Sequence, residues 1–214
     1  MAFRTGNVTN GYPYTLWLIA GIVPWFFFSE ALVCATNAFA EYSYLVKKVV
    51  FRIDILPFVK IISSWFVHIF FVGIAMLIFL LLGKAPDLRF LQLIYYMFCL
   101  VCLLTVLSYF TASIVPFFKD FGQIVNVLLQ IGMWLTPILW NFDDMADKLG
   151  KWGILFKLNP MFYIVQGYRD SFMQGTMFWS RTQTLYFWGF IAVVGFIGYK
   201  CFRRMSPHFA DVLD

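Results

Sequence analysis

The sequence has little charge. Lys, Arg, Asp and Glu together make up 13% of its 214 residues, whereas 62% are hydrophobic. An ordinary soluble domain carries about 25% charged residues, so this composition excludes that class. Several apolar runs reach the ~20 residues that a helix needs to cross a hydrocarbon core of about 30 Å. Alternation of period two, which would indicate a β-barrel, is absent. The sequence therefore predicts an all-α, polytopic integral membrane protein.

Groups that carry catalysis are also scarce. The sequence contains no G-x-x-x-x-G-K-[ST] phosphate loop, no H-E-x-x-H motif and only two histidines, His68 and His208. Nucleotide hydrolysis and zinc chemistry therefore lack their usual parts, and we expect no cofactor and no metal site in this chain. The net charge of +5 comes from basic residues near span ends, which favours membrane orientation over nucleic-acid binding. The four cysteines fall in or beside apolar runs and are interpreted as small buried hydrophobes.

A single transmembrane domain over residues 1–214 is predicted, with about five spans. The predicted spans are 14–34, 57–82, 90–116, 121–140 and 185–199. The amphipathic segment 142–178, interrupted by glycines and Pro160, predicts short helices that lie in the membrane interface or re-enter it. Basic residues next to span ends share one side, which the positive-inside rule makes cytoplasmic: Lys47, Lys48, Arg52, Lys119, Lys200, Arg203 and Arg204. This orientation puts Met1 outside, so we expect that an N-terminal span is lacking.

The stretch FGQIVNVLLQIGMWLTPILWN, residues 121–141, places amides at membrane depth. Five residues recur at spacings of three or four and share one helical face: Gln123, Asn126, Gln130, Trp134 and Pro137. An amide that faces lipid leaves donors and acceptors unpaired, so this face meets other helices or a water-filled path. Trp134 and Trp140 favour a path, because aromatic rings and amides together suit sugars. Hydrogen bonds between helices remain the alternative.

Three further features have a structural and a functional interpretation. His68, inside a span, is expected to be a neutral imidazole hydrogen-bonded to a neighbouring helix, although intramembrane ionisable groups are often functional. The segment 37–54 is a solvated loop or, given its Tyr, Val and Phe content, a docking surface. In 158–172, Pro160 can start a helix with Asn159 as its cap, and this helix is a plain interfacial helix or a gate over an exit path.

Three motifs in order carry a family resemblance. They are LVKKVVFRIDILP, DFGQIVNVLLQIGMWLTPILW and LNPMFYIVQGYRDSF. The chain resembles, over residues 12–205, the permease subunits of ABC exporters that move lipid-linked polysaccharides, such as O-antigen, capsule and wall teichoic acid exporters. Family members are similar in having six spans preceded by an amphipathic helix, and this chain begins where the loop before the second span lies.

The resemblance implies partners and site residues. It implies a homodimer in the bacterial inner membrane, a lipid-linked glycan substrate and a separate ATPase subunit that binds ATP and Mg²⁺. A coupling segment would dock on that ATPase through Glu41, Tyr44, Lys47, Lys48 and Arg52. The translocation path would be lined by Trp25, Phe28, Gln123, Asn126, Gln130, Trp134 and Trp140. A periplasmic re-entrant segment, about 145–173, would form a gate with Asn159, Pro160, Tyr163 and Arg169.

Two other functions remain open at this point. An ABC exporter of drugs or small lipophilic molecules shares the span plan but gives less reason for an aromatic content of 21%. A membrane-embedded enzyme acting on lipid-linked sugars would need a carboxylate constellation. Asp143, Asp144 and Asp147 are the acidic cluster it would use, and they are better interpreted as the solvated first turn of an interfacial helix.

Overall fold

The structure, a computed structural model, describes residues 12–46, 52–83, 88–142, 145, 150, 153–173 and 181–212. The elements in these ranges are helices, which confirms the all-α prediction. They are α1 (Tyr14–Thr36), α2 (Ala38–Glu41), α3 (Ser43–Val46), α4 (Leu56–Leu81), α5 (Gln92–Ile114), α6 (Phe121–Leu135), α7 (Gly153–Lys157), α8 (Pro160–Phe172), α9 (Arg181–Met205) and α10 (Phe209–Val212). Short 3₁₀ turns cover Ile53–Ile55, Leu88–Leu91 and Ser206–His208.

Four helical stretches in the described ranges are long and apolar enough to cross a membrane. They are Tyr14–Thr36, Ile53–Leu81, Leu88–Ile114 and Thr182–His208. The first three nearly coincide with the predicted spans, and the last extends beyond the predicted 185–199 at both ends. These lengths make the chain a multi-pass membrane protein.

The stretch predicted as the fourth span, 121–140, is helical only as far as Leu135. The 15 residues of α6 rise about 22 Å, which is less than a hydrocarbon core of about 30 Å. The helix ends because Thr136 is extended (φ −90°, ψ 123°). Pro137 follows it, and a proline disfavours helical geometry in the residue before it.

Helix α1 lies at the centre of the bundle. It packs against α4, α5, α6 and α8, and its small residues Ala20, Ala31 and Ala35 are completely buried. Helix α4 instead turns large apolar side chains outward, with Phe66 69% and Phe70 66% exposed. Exposed apolar side chains face the lipid of a bilayer, so α4 is an outer helix and α1 an inner one.

Helix α8 lies inside the bundle and not on its surface. Ten of its 13 residues are buried, and it packs against α1, α5 and α9. Gly167 permits this packing, since a Cβ there would lie 2.1 Å from Cε1 of Tyr96. A plain interfacial helix, one of the two arrangements expected for this segment, is therefore wrong.

We predict that Gly167→Ala lowers the thermal unfolding temperature of the purified chain in detergent. The added methyl must displace the buried Tyr96 ring, and such overpacking costs about 1–3 kcal/mol. Gly73→Ala is the matched control, because a Cβ at Gly73 meets nothing within 4 Å. That control should gain up to about 1 kcal/mol from helix propensity. Equal unfolding temperatures for the two variants would contradict this packing.

Candidate functional site

A buried arginine joins α8 to the non-helical backbone that follows α6. Arg169 is 4% exposed; its Nη1 donates to the carbonyl of Pro137 at 2.8 Å and its Nη2 to that of Ile138 at 3.0 Å. The guanidinium carbon lies 3.4 Å from the centre of the Trp17 ring. Gly21 leaves room for it, since a Cβ there would come within 2.7 Å of Nη2. We call these contacts of Arg169 with Pro137, Ile138 and Trp17 the arginine clasp.

The clasp satisfies backbone groups that the end of α6 exposes. Carbonyls beyond a helix end have no partner in the helix, and in a membrane bundle no bulk water replaces one. The planar guanidinium fork of Arg169 reaches two successive carbonyls at once. Among the described residues no carboxylate forms an ion pair with Arg169, so the two carbonyls and the Trp17 ring stabilise its charge.

The N-terminal end of α8 contacts the same non-helical segment after α6. The Oδ1 of Asn159 accepts the backbone N–H of Met161 at 3.0 Å, which caps the helix, and Pro160 occupies its first turn. This confirms the predicted helix start. The Nδ2 of Asn159 also donates to Oγ1 of Thr136 at 2.7 Å. Residues 136–138 are thus bound from both ends of α8.

The remaining contacts of α8 tie it to the other helices. The Tyr163 hydroxyl lies 3.3 Å from that of Tyr95 and 3.2 Å from Oγ1 of Thr184. The Tyr168 hydroxyl lies 2.8 Å from Nε2 of His68. That bond fits the expectation for His68, and sequence reasoning missed Tyr168 because nothing in its spacing distinguishes it from other buried aromatics. Of the predicted gate residues, Asn159, Tyr163 and Arg169 therefore connect α8 to other parts of the bundle, and Pro160 starts the helix. Their gating role stays a prediction.

Three of the predicted path residues form an uncovered face of α6. Gln123, Gln130 and Trp134 are exposed, Trp134 by 67%. Within the described part of the chain neither glutamine amide has a hydrogen-bond partner. We call Gln123, Gln130 and Trp134 the α6 polar face. Among the residues that the structure describes, hydrogen bonds to other helices of the same chain, one form of the alternative given above, do not occupy these two amides.

The other predicted path residues are not free on that face. The Nδ2 of Asn126 donates to the Gly122 carbonyl of its own helix at 3.2 Å. Trp25 and Phe28 are buried in the core, with ring centres 5.6 Å apart. Trp25 packs under Gly132 of α6, on the side away from the polar face. Trp140 donates from Nε1 to the Trp134 carbonyl at 3.3 Å. In a single chain, the buried Trp25 and Phe28 therefore do not share a surface with the α6 polar face.

The predicted coupling residues that the structure describes lie at the end of the bundle opposite the arginine clasp. Glu41 forms an ion pair with Lys60 of α4, with Nζ 2.8 Å from Oε2. Tyr44 is 58% exposed. Arg52 pairs with Asp54 at 2.9 Å. Lys47 and Lys48 lie outside the described residues, as do Asp143, Asp144 and Asp147 of the acidic cluster.

The comparison with known families fits this arrangement of helices. The family described as ABC-2 type transporter matches residues 1–173. The chain belongs to the ABC-2 type transporter family. It is therefore a transporter subunit, and the resemblance stated from its motifs is confirmed at the level of the family.

Several curated relatives of this ABC-2 chain carry one name. Two proteins of Klebsiella pneumoniae, each named O-antigen export system permease protein RfbA, are 26% and 25% identical over 205 residues. Each of these alignments covers 94% of this chain and 76% of the relative. A protein of Myxococcus xanthus with the same name is 22% identical over 168 residues, which is 78% of this chain and 63% of the relative.

We predict that Arg169→Met destabilises this ABC-2 chain by about 2 kcal/mol or more. Methionine keeps the apolar stem but leaves the carbonyls of Pro137 and Ile138 unpaired, and each buried unpaired carbonyl costs about 1–3 kcal/mol. Arg204→Met, a change on the exposed end of α9, is the control and should leave stability unchanged. Reversible unfolding in mixed micelles measures both, and equal stabilities would show that the clasp contributes nothing.

Proposed function

We propose that this chain is the permease subunit of an ATP-driven exporter that moves lipid-linked polysaccharide across the bacterial inner membrane. The family, the names of the relatives and the three motifs support this assignment. In this proposal a separate ATPase subunit binds ATP and Mg²⁺, in keeping with the family and with the missing phosphate loop. The permease breaks no bond in the glycan.

The observation that carries the proposal is the α6 polar face. Gln123 and Gln130 are exposed on a helix of an otherwise apolar exterior, and an amide moved into hydrocarbon without a partner costs about 4–8 kcal/mol. In a single chain surrounded by lipid, this cost would apply to each of the two glutamine amides. A second copy of the permease removes it if the two α6 helices face each other across a hydrated path.

The same face has the chemistry for a glycan. Glutamine amides donate to and accept from sugar hydroxyls, and the exposed Trp134 ring offers a flat apolar surface to the C–H face of a sugar. Drug exporters would favour an apolar lining instead. In a deletion strain, accumulation of lipid-linked glycan supports polysaccharide export, whereas drug sensitivity alone would support the alternative exporter.

Energy enters at the end of the bundle opposite the arginine clasp, through α2 and α3. Phe39 of α2 is completely buried and packs on Phe202 and Phe209, with ring centres 5.9 and 5.0 Å apart. The Glu41–Lys60 ion pair fastens the same segment to α4. A force applied to α2 by a docked ATPase would thus reach α4 and α9 together.

The membrane-enzyme alternative makes a separate prediction. If Asp143, Asp144 and Asp147 are a solvated turn and not a catalytic cluster, their joint replacement by Asn leaves glycan export within about twofold of the parent. Export is measured as surface glycan per copy of permease in the membrane. Complete loss of export with normal assembly would support the membrane-enzyme alternative instead.

We predict that Gln130→Leu reduces glycan export at least tenfold while the permease dimer still assembles. Leucine removes the hydrogen-bonding group from the path and favours lipid or protein contact, so assembly stays intact. Asn126→Leu is the comparison variant and should have a smaller effect, because that amide is already bonded within α6. Loss of the dimer with unchanged export per assembled dimer would mean that Gln130 only contacts a neighbouring helix.

We predict that Tyr44→Ala lowers co-purification of the ATPase subunit at least threefold. The Tyr44 ring is 58% exposed, so its removal should leave the thermal stability of the permease unchanged. Phe66→Ala, at a ring 69% exposed on α4, is the matched control and should leave co-purification unchanged. Equal recovery of the ATPase with both variants would contradict docking at this segment.

A further inference from the structure

A cleft of about 600 Å³ opens at the end of the bundle that carries Arg52 and Arg203. We call this the basic-end cleft. It lies between the 3₁₀ turn that precedes α4, the later turns of α5 and the last turns of α9. Its lining includes Arg52, Asp54, Val106, Gly195, Phe202 and Arg203. None of these residues belongs to the α6 polar face or to the arginine clasp.

The cleft changes from apolar to polar along α9. Gly195, Tyr199 and Arg203 lie on it in succession, and at 1.5 Å per residue the first and last are about 12 Å apart along the helix. The Gly195 end faces Val106 of α5, 3.1 Å from a Cβ built on the glycine. Because α5 and α9 are membrane-spanning helices, this end lies within the hydrocarbon layer and the arginine end lies at its boundary.

Two guanidinium groups and one carboxylate border the polar end. Asp54 holds Arg52 through its Nε and Nη2 atoms, at 3.4 and 2.9 Å, which leaves the Nη1 edge of Arg52 directed away from the carboxylate. Arg203 lies with its guanidinium carbon 5.7 Å from the Tyr199 ring centre and has no ion pair among the described residues. The formal charge of the three groups is +1, so the polar end favours an anion.

The Tyr109 side chain lines the cleft between its apolar and polar ends and bonds two of the lining segments together. It donates to the backbone carbonyl of Asp54, and its ring packs edge-on against Phe202, with centres 5.6 Å apart. This bond connects the 3₁₀ turn before α4 to α5, so the backbone of Asp54 is held against the bundle, and the exposed Arg52 side chain pairs with the Asp54 carboxylate. The mouth of the cleft is built from three helical segments that are fastened to one another.

We propose that the basic-end cleft binds an anionic membrane lipid. The headgroup phosphate would accept hydrogen bonds from Arg52 and Arg203, and an acyl chain would lie along Val106, Gly195 and Phe202. A soluble anion would use the arginines but not the apolar depth, and a neutral lipid would use the depth but not the arginines. Basic pockets between spanning helices at a membrane boundary suit anionic lipid headgroups.

Binding is tested with the purified full-length chain in a neutral detergent by native mass spectrometry. The chain is titrated with palmitoyl-oleoyl phosphatidylglycerol and, separately, with the phosphatidylcholine of the same chains. We expect the anionic lipid to bind more tightly, and Arg52→Gln or Arg203→Gln to weaken it about fivefold each, the contribution of one basic residue near a membrane surface. Arg204→Gln, on the same helix but outside the cleft lining, is the matched control and should change nothing.

The acyl chain is tested separately from the phosphate. Phosphatidylglycerol with six-carbon chains should bind at least about tenfold more weakly than the long-chain lipid, since each buried methylene contributes about fourfold. Inorganic phosphate at the same concentration should not compete. Competition by phosphate, or equal binding of the two chain lengths, would show a free-anion site and overturn the proposal.

Two other results would also overturn it. Equal affinity for the two long-chain lipids would mean that the arginines do not select a headgroup. Unchanged lipid binding by Arg203→Gln, together with lower recovery of the ATPase subunit, would assign the cleft to the partner protein. Unfolding temperatures of all variants are measured alongside, and Arg203→Lys, which keeps the charge, should retain at least half of the headgroup preference.

Discussion

The arginine clasp is the interaction on which the rest of the bundle depends. The α6 helix ends at Leu135, about 22 Å long, so the chain must continue through backbone that no helix satisfies. Arg169 donates to two of these carbonyls. Asn159, which caps the same helix, donates to Oγ1 of Thr136, the residue between those carbonyls and α6. A short helix can end inside a membrane bundle only because a second helix, α8, is buried beside it and supplies these donors.

Burying α8 determines which surfaces remain available. Its ten buried residues fill the space between α1, α5 and α9, and this space is therefore closed to substrate. The His68–Tyr168 and Tyr95–Tyr163 contacts satisfy polar groups in that core. Gln123 and Gln130 of α6 then remain on the opposite side, where no residue that the structure describes hydrogen-bonds to their side-chain amides. The polarity of that face and the compactness of the core are two results of one packing arrangement.

The sequence predicts what depends on local composition. Helix positions follow from the length of the apolar runs, the start of α8 from Asn159 and Pro160, and the α6 polar face from spacing. The early end of α6 could also have been inferred, since Thr136 precedes a proline. The partners of Arg169, about 30 residues away along the chain, and of His68, 100 residues away, depend on how helices pack. The burial of Trp25 and Phe28 depends on it in the same way, and no pattern along the chain encodes it.

Helices α1 and α6 touch at both ends, which gives coupling a physical route. At the basic end, Asn37 donates to the Val33 carbonyl of α1, and its Oδ1 lies close to Gly122 at the start of α6. At the other end, Arg169 contacts Trp17 of α1 and the carbonyls that follow α6. Only Asn37 separates α1 from α2, so a displacement of α2 by a docked ATPase would pass directly into α1. Because the clasp binds α1 and the end of α6 together, the two helices would move as one body. In the proposed dimer, the α6 polar face would then turn relative to its counterpart, and this motion requires no change inside either core.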